Sequence, residues 1–441
     1  MSEAWIVALE ALGWAEQKGT SEDSALRRTF KRRSVTDRRV AGDASRLLYS
    51  VSARRNTLDY TIDSALEPRT VEGLDAGLRS FMRLYAYLTR YGGCTPSEVQ
   101  RMAAQAGGIL GDERLRPVGD ALDLIPRQDI QWSRMSANEE TAYRCFLPLW
   151  YVRYIRGSFD ERTAAEIFQP TDTPRYARVN TLNGDDSAIE KLTGLGFRLE
   201  AIPELKHTYR VLGDPTGLTA TGPYRGGAVI LQDKASVLVC EVAAPWPGDT
   251  VLDVCAAPGV KTSHLAQIMG NRGRIISVDS DARRLAAWRK LTGVMGVTNA
   301  EGMLADATRD YELPCEVDVV LLDPPCSGTG TFNTIPSGKW SLTEDSIREK
   351  ATTQRAMIEK AAPHLRKGGL MVYSTCSVTV EENEGVVGGF LEGYPEFRLV
   401  EAGPRLGRPG LLGLIGAQRL YPSVHSCEGF FIAKLEKTRT G

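Results

Sequence analysis

Two cysteines each follow an apolar run with the composition of a buried strand: Cys326 behind VDVVLLDPP and Cys376 behind LMVYST. Free cysteines are usually small, inert core residues. Two at the ends of neighbouring strands, one behind a Pro-Pro loop, instead suit nucleophilic catalysis. A thiol is needed where a reacting carbon must first be activated. C5 of cytosine is a poor nucleophile. A thiolate that adds to C6 makes the ring enamine-like, and C5 can then attack a methyl sulfonium. The C5 proton leaves next, and elimination frees the thiol. The thiolate is the working form. Asp323, at the tip of the first run, is placed to assist at N3 or N4 of the base. Lys261 could support the base or that carboxyl. The base must leave its stack to reach such a pocket.

A second group of residues has the pattern of a cofactor site. Cys255-Ala256-Ala257-Pro258-Gly259 follows the apolar strand VLDV and opens a helix. Small residues allow a ligand close to the backbone, and proline fixes the turn. The next strand ends at Asp279, 20 residues beyond Gly259. An acid there is placed to bond ribose hydroxyls. Asp306, in MLADAT, stands at the third strand position and could reach an adenine edge. GxGxxG and GK[ST] are absent, so a nucleoside without a phosphate chain is favoured over a dinucleotide or a nucleoside triphosphate.

These residues need a scaffold, and the periodicities supply one. From residue 221 strands and helices alternate, and near-continuous apolar strands such as VDVVLLD indicate burial on both faces. This predicts a doubly wound, parallel α/β domain over 221–441, with ligands at the carboxyl ends of its strands. Residues 128–220 read as a small α+β subdomain. NEETAYRCFLPLWYVRYIRGSF predicts one helix, YARVNTLNG a strand and turn, AIEKLTGLGF a helix, and RLEAIPELKHTYRVLG further strands. Residues 1–127 read as all-helical. In them Thr95-Pro96-Ser97-Glu98 is a helix start with a capping box. RLGRPGLLGLIGAQRL reads as a flexible, Gly-rich approach to the last strand.

Bulk properties narrow the classes. At roughly 150 residues per domain, 441 residues suggest two or three domains. Net charge is −1, so a nucleic-acid surface must come from local clustering. Arg27, Arg28, Lys31, Arg32, Arg33, Arg38, Arg39, Arg46, Arg54 and Arg55 form such a cluster, readable as a solvated face or as a phosphate-binding patch. Eight cysteines show no CxxC pairing and only four histidines accompany them, so no metal site is expected. MSEAWIVALEALGWAEQKG lacks the basic start and small-residue cleavage site of a signal peptide, so none is expected, and no apolar run has membrane-spanning length. A cytoplasmic protein with reduced thiols is expected, without membrane partners and monomeric.

At these motifs the sequence resembles the RNA cytosine-5 methyltransferases. CAAPGVKT looks like that family's CAAPGGKT cofactor loop. DPPCSGTG and YSTCSVTVEENE look like its fourth and sixth motifs. RVNT at Arg178–Thr181, PSGKW and HSCEGFFIAKL also look like family segments, and the resemblance covers residues 140 to 436. It implies a Rossmann-like class I methyltransferase domain and S-adenosyl-L-methionine as cofactor. Cofactor contacts would come from Cys255, Ala256, Ala257, Pro258, Gly259, Val260 and Lys261, and from Asp279, Asp306 and Asp323. It implies that Cys376 is the nucleophile and that Cys326 assists product release. Val260 departs from a second glycine, and Ser426-Cys427-Glu428 departs from Gly-Thr-Asp. TDRRVAGDASRLLYSVSARRNTLDYTID resembles the NusB-like helical domain of the bacterial 16S rRNA member. That makes the basic cluster an RNA-docking surface that would position the substrate without reading its bases.

Other readings differ in specific residues. A DNA cytosine-5 methyltransferase would use the Pro-Cys cysteine, Cys326, and would lack the Thr-Cys cysteine. An adenine N6-methyltransferase would follow Asp-Pro-Pro with an aromatic residue. An inactive RNA-binding assembly factor would not need Cys376, Cys326, Asp323 and Lys261 together. Among RNA substrates, ribosomal RNA is favoured by the NusB-like resemblance, with transfer RNA the alternative.

Overall fold

The computed structural model describes residues 2–438, with 214 and 216 aside. The chain forms two compact units. The first runs to Pro170 and also takes in Phe332–Ser341; the second comprises Thr171–Thr331 and the chain from Leu342 onward.

The first unit is helical. Its core gathers Leu48, Leu58, Ile62, Phe81 and Met82 from Arg38–Ala53, Arg55–Leu66 and Ala76–Arg90. The capping box expected at Thr95 is present: the Glu98 amide donates to Thr95 Oγ1 and the Thr95 amide to Glu98 Oε2. The single helix predicted across residues 138–159 is two, Ala137–Arg144 and Leu149–Ser158. Phe146 has φ +56°, and Pro148 has no amide proton to continue a helix. Most of the basic cluster is exposed, but Arg54 and Arg55 are half-buried. Arg54 lies 4.8 Å over the Phe146 ring, and Arg55 pairs with Glu72 at 2.8 Å. Within this unit Phe332–Ser341 is anchored by side chains. Ser337 donates through its amide and hydroxyl to Glu22, and Trp340 Nε1 donates to the Ser52 carbonyl at 2.6 Å.

The second unit begins with a small antiparallel sheet: β1 (Arg175–Val179), β2 (Arg198–Ala201), β3 (Thr208–Leu212) and β4 (Val229–Leu231), ordered β2-β3-β1-β4. The large sheet follows. Its first five strands are β5 (Thr250–Val254), β6 (Arg274–Asp279), β7 (Ala300–Leu304), β8 (Val317–Leu322) and β9 (Leu365–Thr375). Its last four are β10 (Phe397–Val400), β11 (Arg408–Pro409), β12 (Gln418–Leu420) and β13 (Phe430–Lys437). The order is β11-β12-β13-β9-β8-β5-β6-β7, with β10 paired to β13.

The parallel sheet expected from the sequence holds for β5 to β9 only. β13 runs antiparallel to β9, and β10 and β12 run antiparallel to β13. For the β12–β13 pair the physical reason is connection length. Only the nine residues 421–429 separate β12 from β13, fewer than the dozen or so a parallel crossover requires. The Gly-rich approach is also not simply flexible. β11 pairs with β12, whose Gln418 and Arg419 are buried. Chain order reverses between β5 and β8, which makes their carboxyl ends the topological switch point of the sheet.

Candidate active site

The chain leaves β5 at that switch point through Cys255 to Gly259. Cys255 has φ +64° and Gly259 φ +105°. The Gly259 amide donates to the Ala256 carbonyl at 2.8 Å, closing the turn, and the Ala256 amide donates to Val278 of β6. A Cβ on Gly259 would stand 3.0 Å from Trp288 Cδ1 and 3.1 Å from Thr292 Cγ2. Both the dihedral and the space therefore require glycine. Val260 is not among the positive-φ residues and simply opens the helix Val260–Met269, so its backbone does not call for the glycine of the family pattern.

Asp279 ends β6, almost fully buried. Its Oδ2 accepts the Ala257 amide at 3.2 Å and its Oδ1 the Asp281 amide at 3.1 Å. Arg284 pairs with Asp279 and also donates to the Ala257 carbonyl at 2.7 Å. The acid expected to face a ribose thus also locks the loop. Asp306, beyond β7, is exposed. Its bonds go to Thr308, which holds its carboxyl below the ordinary range, and its ion pair to Arg309 in the same turn.

Asp323 follows β8. Its Oδ2 accepts from Lys261 Nζ at 2.7 Å and its Oδ1 from Ser374 Oγ at 2.9 Å. Burial opposes the Lys261 charge, but Asp323 outweighs it and raises the ammonium pKa above its usual value. Beside this pair, Cys326 Sγ and Cys376 Sγ are 3.2 Å apart. The hydrogen bond to Cys326, burial and the nearby acids all push the Cys376 thiol well up, so the resting group is a thiol. Cys255 is an inert thiol by comparison: burial and the charges of Asp323 and Asp279 push it up to about 12. The structure therefore brings together Cys326, Cys376, Asp323 and Lys261, and joins Asp279 to the β5 loop.

Three residues without an assigned role in the sequence reading support this arrangement. Asp253, within β5, is buried, and burial raises its pKa to about 7; it accepts from Thr262 Oγ1, which accepts from Trp288 Nε1. Arg178 of β1 is fully buried, with its pKa lowered to about 10 by desolvation. It donates to Gln232 at 2.8 Å, to Ser263 at 2.9 Å and to Gln267. The last two lie on the helix that carries Lys261, and the only early signal was the RVNT motif. Glu382 is buried among donors from both cysteine loops. Its signal was its place in YSTCSVTVEENE, where nothing distinguishes it from neighbouring acids. The segment Ser426-Cys427-Glu428 is anchored by the Glu428 amide on Asp233 at 3.2 Å and by Tyr176 OH on the Ser426 carbonyl.

This donor set fits S-adenosyl-L-methionine. Tight small-residue backbone after β5 and carboxylates at the tips of β6, β7 and β8 suit a nucleoside carrying a cationic sulfonium, and the described residues form no phosphate cradle there. Among the described residues no group of three or more His, Cys, Asp or Glu could hold a metal ion, and no helix is long and apolar enough to cross a membrane.

A Rossmann-like sheet with this edge defines a methyltransferase that uses S-adenosyl-L-methionine. The family described as 16S rRNA methyltransferase RsmB/F matches residues 240–436. Ribosomal RNA small subunit methyltransferase B of Serratia proteamaculans is 30% identical over 325 residues, covering 73% of this chain and 72% of that protein. The probable ribosomal RNA small subunit methyltransferase B of Bacillus subtilis is 26% identical over 98% of both chains. The crystal structure of PH0851 superposes with a TM-score of 0.87 at 28% identity, covering 99% of this chain and 98% of that one. The chain belongs to the RsmB/F family of RNA cytosine-5 methyltransferases.

Proposed function

We propose that this enzyme methylates C5 of a cytosine in small-subunit ribosomal RNA, through a covalent bond between Cys376 Sγ and C6 of the base. The observation that carries the mechanism is the 3.2 Å separation of the two thiols beside the Lys261–Asp323 pair. The choice of RNA rests on relatives named for small-subunit rRNA that match nearly the whole chain. Bound S-adenosyl-L-methionine supplies the methyl group as a sulfonium. As the Cys376 sulfur bonds to C6, the thiol proton passes to N3 of the ring, so the adduct stays neutral. Asp323, held by Lys261 and Ser374, faces N3 or N4, where it orients the base and relays that proton. After C5 is methylated its proton passes to solvent, and with the help of Cys326 the C6–S bond breaks as the sulfur regains the proton from N3, which returns the thiol.

In this reading residues 1–127 dock RNA through the exposed arginines, 128–220 form an intermediate subdomain, and 221–441 perform the chemistry. The enzyme works as a monomer in the cytoplasm, where its thiols stay reduced. Bisulfite sequencing of cellular RNA with and without the gene tests the substrate. One cytosine in small-subunit rRNA should lose its mark on deletion; a lost mark confined to tRNA would instead establish the transfer-RNA alternative.

A further inference from the structure

We infer that Glu382 is a positioning residue that holds the two thiols at working distance. The inference rests on the reading that Cys376 and Cys326 carry the reaction. The Glu382 carboxylate is fully buried and every hydrogen bond it accepts comes from a neutral donor. Oε1 accepts from the Ser327 amide at 2.7 Å and from Gln354 Nε2 at 2.9 Å. Oε2 accepts from Ser377 Oγ and Thr379 Oγ1, both at 2.7 Å, and from Ser327 Oγ.

The placement of these donors gives the contact its meaning. Ser327 directly follows Cys326, and Ser377 directly follows Cys376. One carboxylate therefore restrains the residue next to each sulfur, and through Gln354 it also reaches the helix Glu344–Ala361. The same Gln354 amide donates to the Pro325 carbonyl at 3.1 Å, just ahead of Cys326. Tyr373 OH donates to the Glu382 carbonyl at 2.6 Å and fixes the backbone that presents the acid. The loops are further joined where the Gly330 amide meets the Cys376 carbonyl at 3.0 Å.

The convergence of five donors calls for an acceptor-only group, which an ionised carboxylate is. Glutamine keeps the shape but turns one end into a donor that faces groups already donating. With Gln at 382 the two loops should lose register without loss of the fold. A misplacement of about 1 Å in a bound geometry costs roughly 100-fold in rate.

The test uses the full chain and three readouts: the rate of covalent adduct formation on a small-subunit rRNA transcript containing 5-azacytidine, the rate at which diamide links Cys326 to Cys376, and S-adenosyl-L-methionine affinity by titration. In E382Q the adduct rate should fall about 100-fold. The disulfide should form at least tenfold more slowly, and cofactor affinity should stay unchanged. A residue that merely supports the fold would not alter the thiol–thiol reaction at constant cofactor affinity. Wild-type adduct and disulfide rates in E382Q would overturn the inference. If E382Q does not fold, the S327A/S377A double variant takes its place, with both rates reduced; wild-type rates there overturn it equally. C376A separates the two readings. An adduct that survives C376A removes the nucleophile assignment. No adduct in C376A, together with normal rates in E382Q, removes only the role of Glu382.

Discussion

Replacing Lys261 with methionine keeps an unbranched apolar stem, one atom shorter, and removes the ammonium that holds Asp323. The lost contact is 2.7 Å long, and the two side chains are only 15% and 28% exposed. Removing one partner of a fully buried pair costs about 3–5 kcal/mol, because the other charge is left without compensation. Asp323 keeps the Ser374 hydroxyl and some access to water, so the expected loss of stability in K261M is smaller, about 2–3 kcal/mol. The sign with pH follows from the raised Lys261 pKa. The stabilisation is complete below the ordinary lysine value of 10.5 and is lost only as pH rises through the higher folded value. The deficit of K261M should therefore be constant from neutral to mildly alkaline pH. The larger effect is on rate. Without the ammonium, Asp323 loses the partner that fixes its direction, and loss of a positioned proton-handling group costs about 100- to 10,000-fold. Single-turnover methyl transfer at saturating cofactor, beside urea unfolding from neutral to mildly alkaline pH, measures both. A K261M enzyme that transfers methyl groups within threefold of wild type and unfolds at the same urea concentration would refute the reasoning.

Three other perturbations probe different parts of the site. G259A puts a Cβ against Trp288 and Thr292 at φ +105°, where a side chain costs about 1–2 kcal/mol before any clash; cofactor affinity in titration calorimetry should fall about tenfold, and an unchanged value would contradict the loop's role. D253N removes an acid whose folded pKa of about 7 lies above its unfolded value of 3.8. The unfolded chain ionises first, so wild-type stability should fall as pH rises from 4 to 7 and then level off; melting curves of D253N should lack that slope, and parallel curves would show the burial cost to be absent. R419M leaves Glu384 buried and unpaired behind the Cys376 loop, and urea unfolding should show a loss of about 3–5 kcal/mol, which R419M/E384L should largely recover.

The parts of the site written in local sequence were readable in advance. Cys326 and Cys376 each sit directly behind an apolar run, so their shared edge follows from strand direction alone. Gly259 and Asp279 follow the same logic, one at a strand-to-helix turn and one at a strand end. Lys261 and Asp323 stand out in the sequence as supporting groups, but their ion pair spans 62 positions and is set only by the tertiary fold. The contacts of Arg178 with Ser263 and of Glu382 with Ser327 are also tertiary, across 85 and 55 positions, and no periodicity encodes them. Sheet direction failed for a related reason. An apolar run such as GFFIAKL specifies a strand but not its orientation; the short loop before β13 sets it antiparallel to β12. The assignment of Phe332–Ser341 to the helical unit likewise depends on Glu22 and Ser52, more than 280 positions away.

The central claim concerns one bond, and peptide mapping after trapping reads it directly. The protein is incubated with S-adenosyl-L-methionine and a small-subunit rRNA transcript containing 5-azacytidine, digested with protease and nuclease, and analysed by mass spectrometry. The nucleotide mass should appear on the peptide that contains Cys376, and none should appear in C376A. A nucleotide attached to the peptide bearing Cys326, with Cys376 unmodified, would contradict the account.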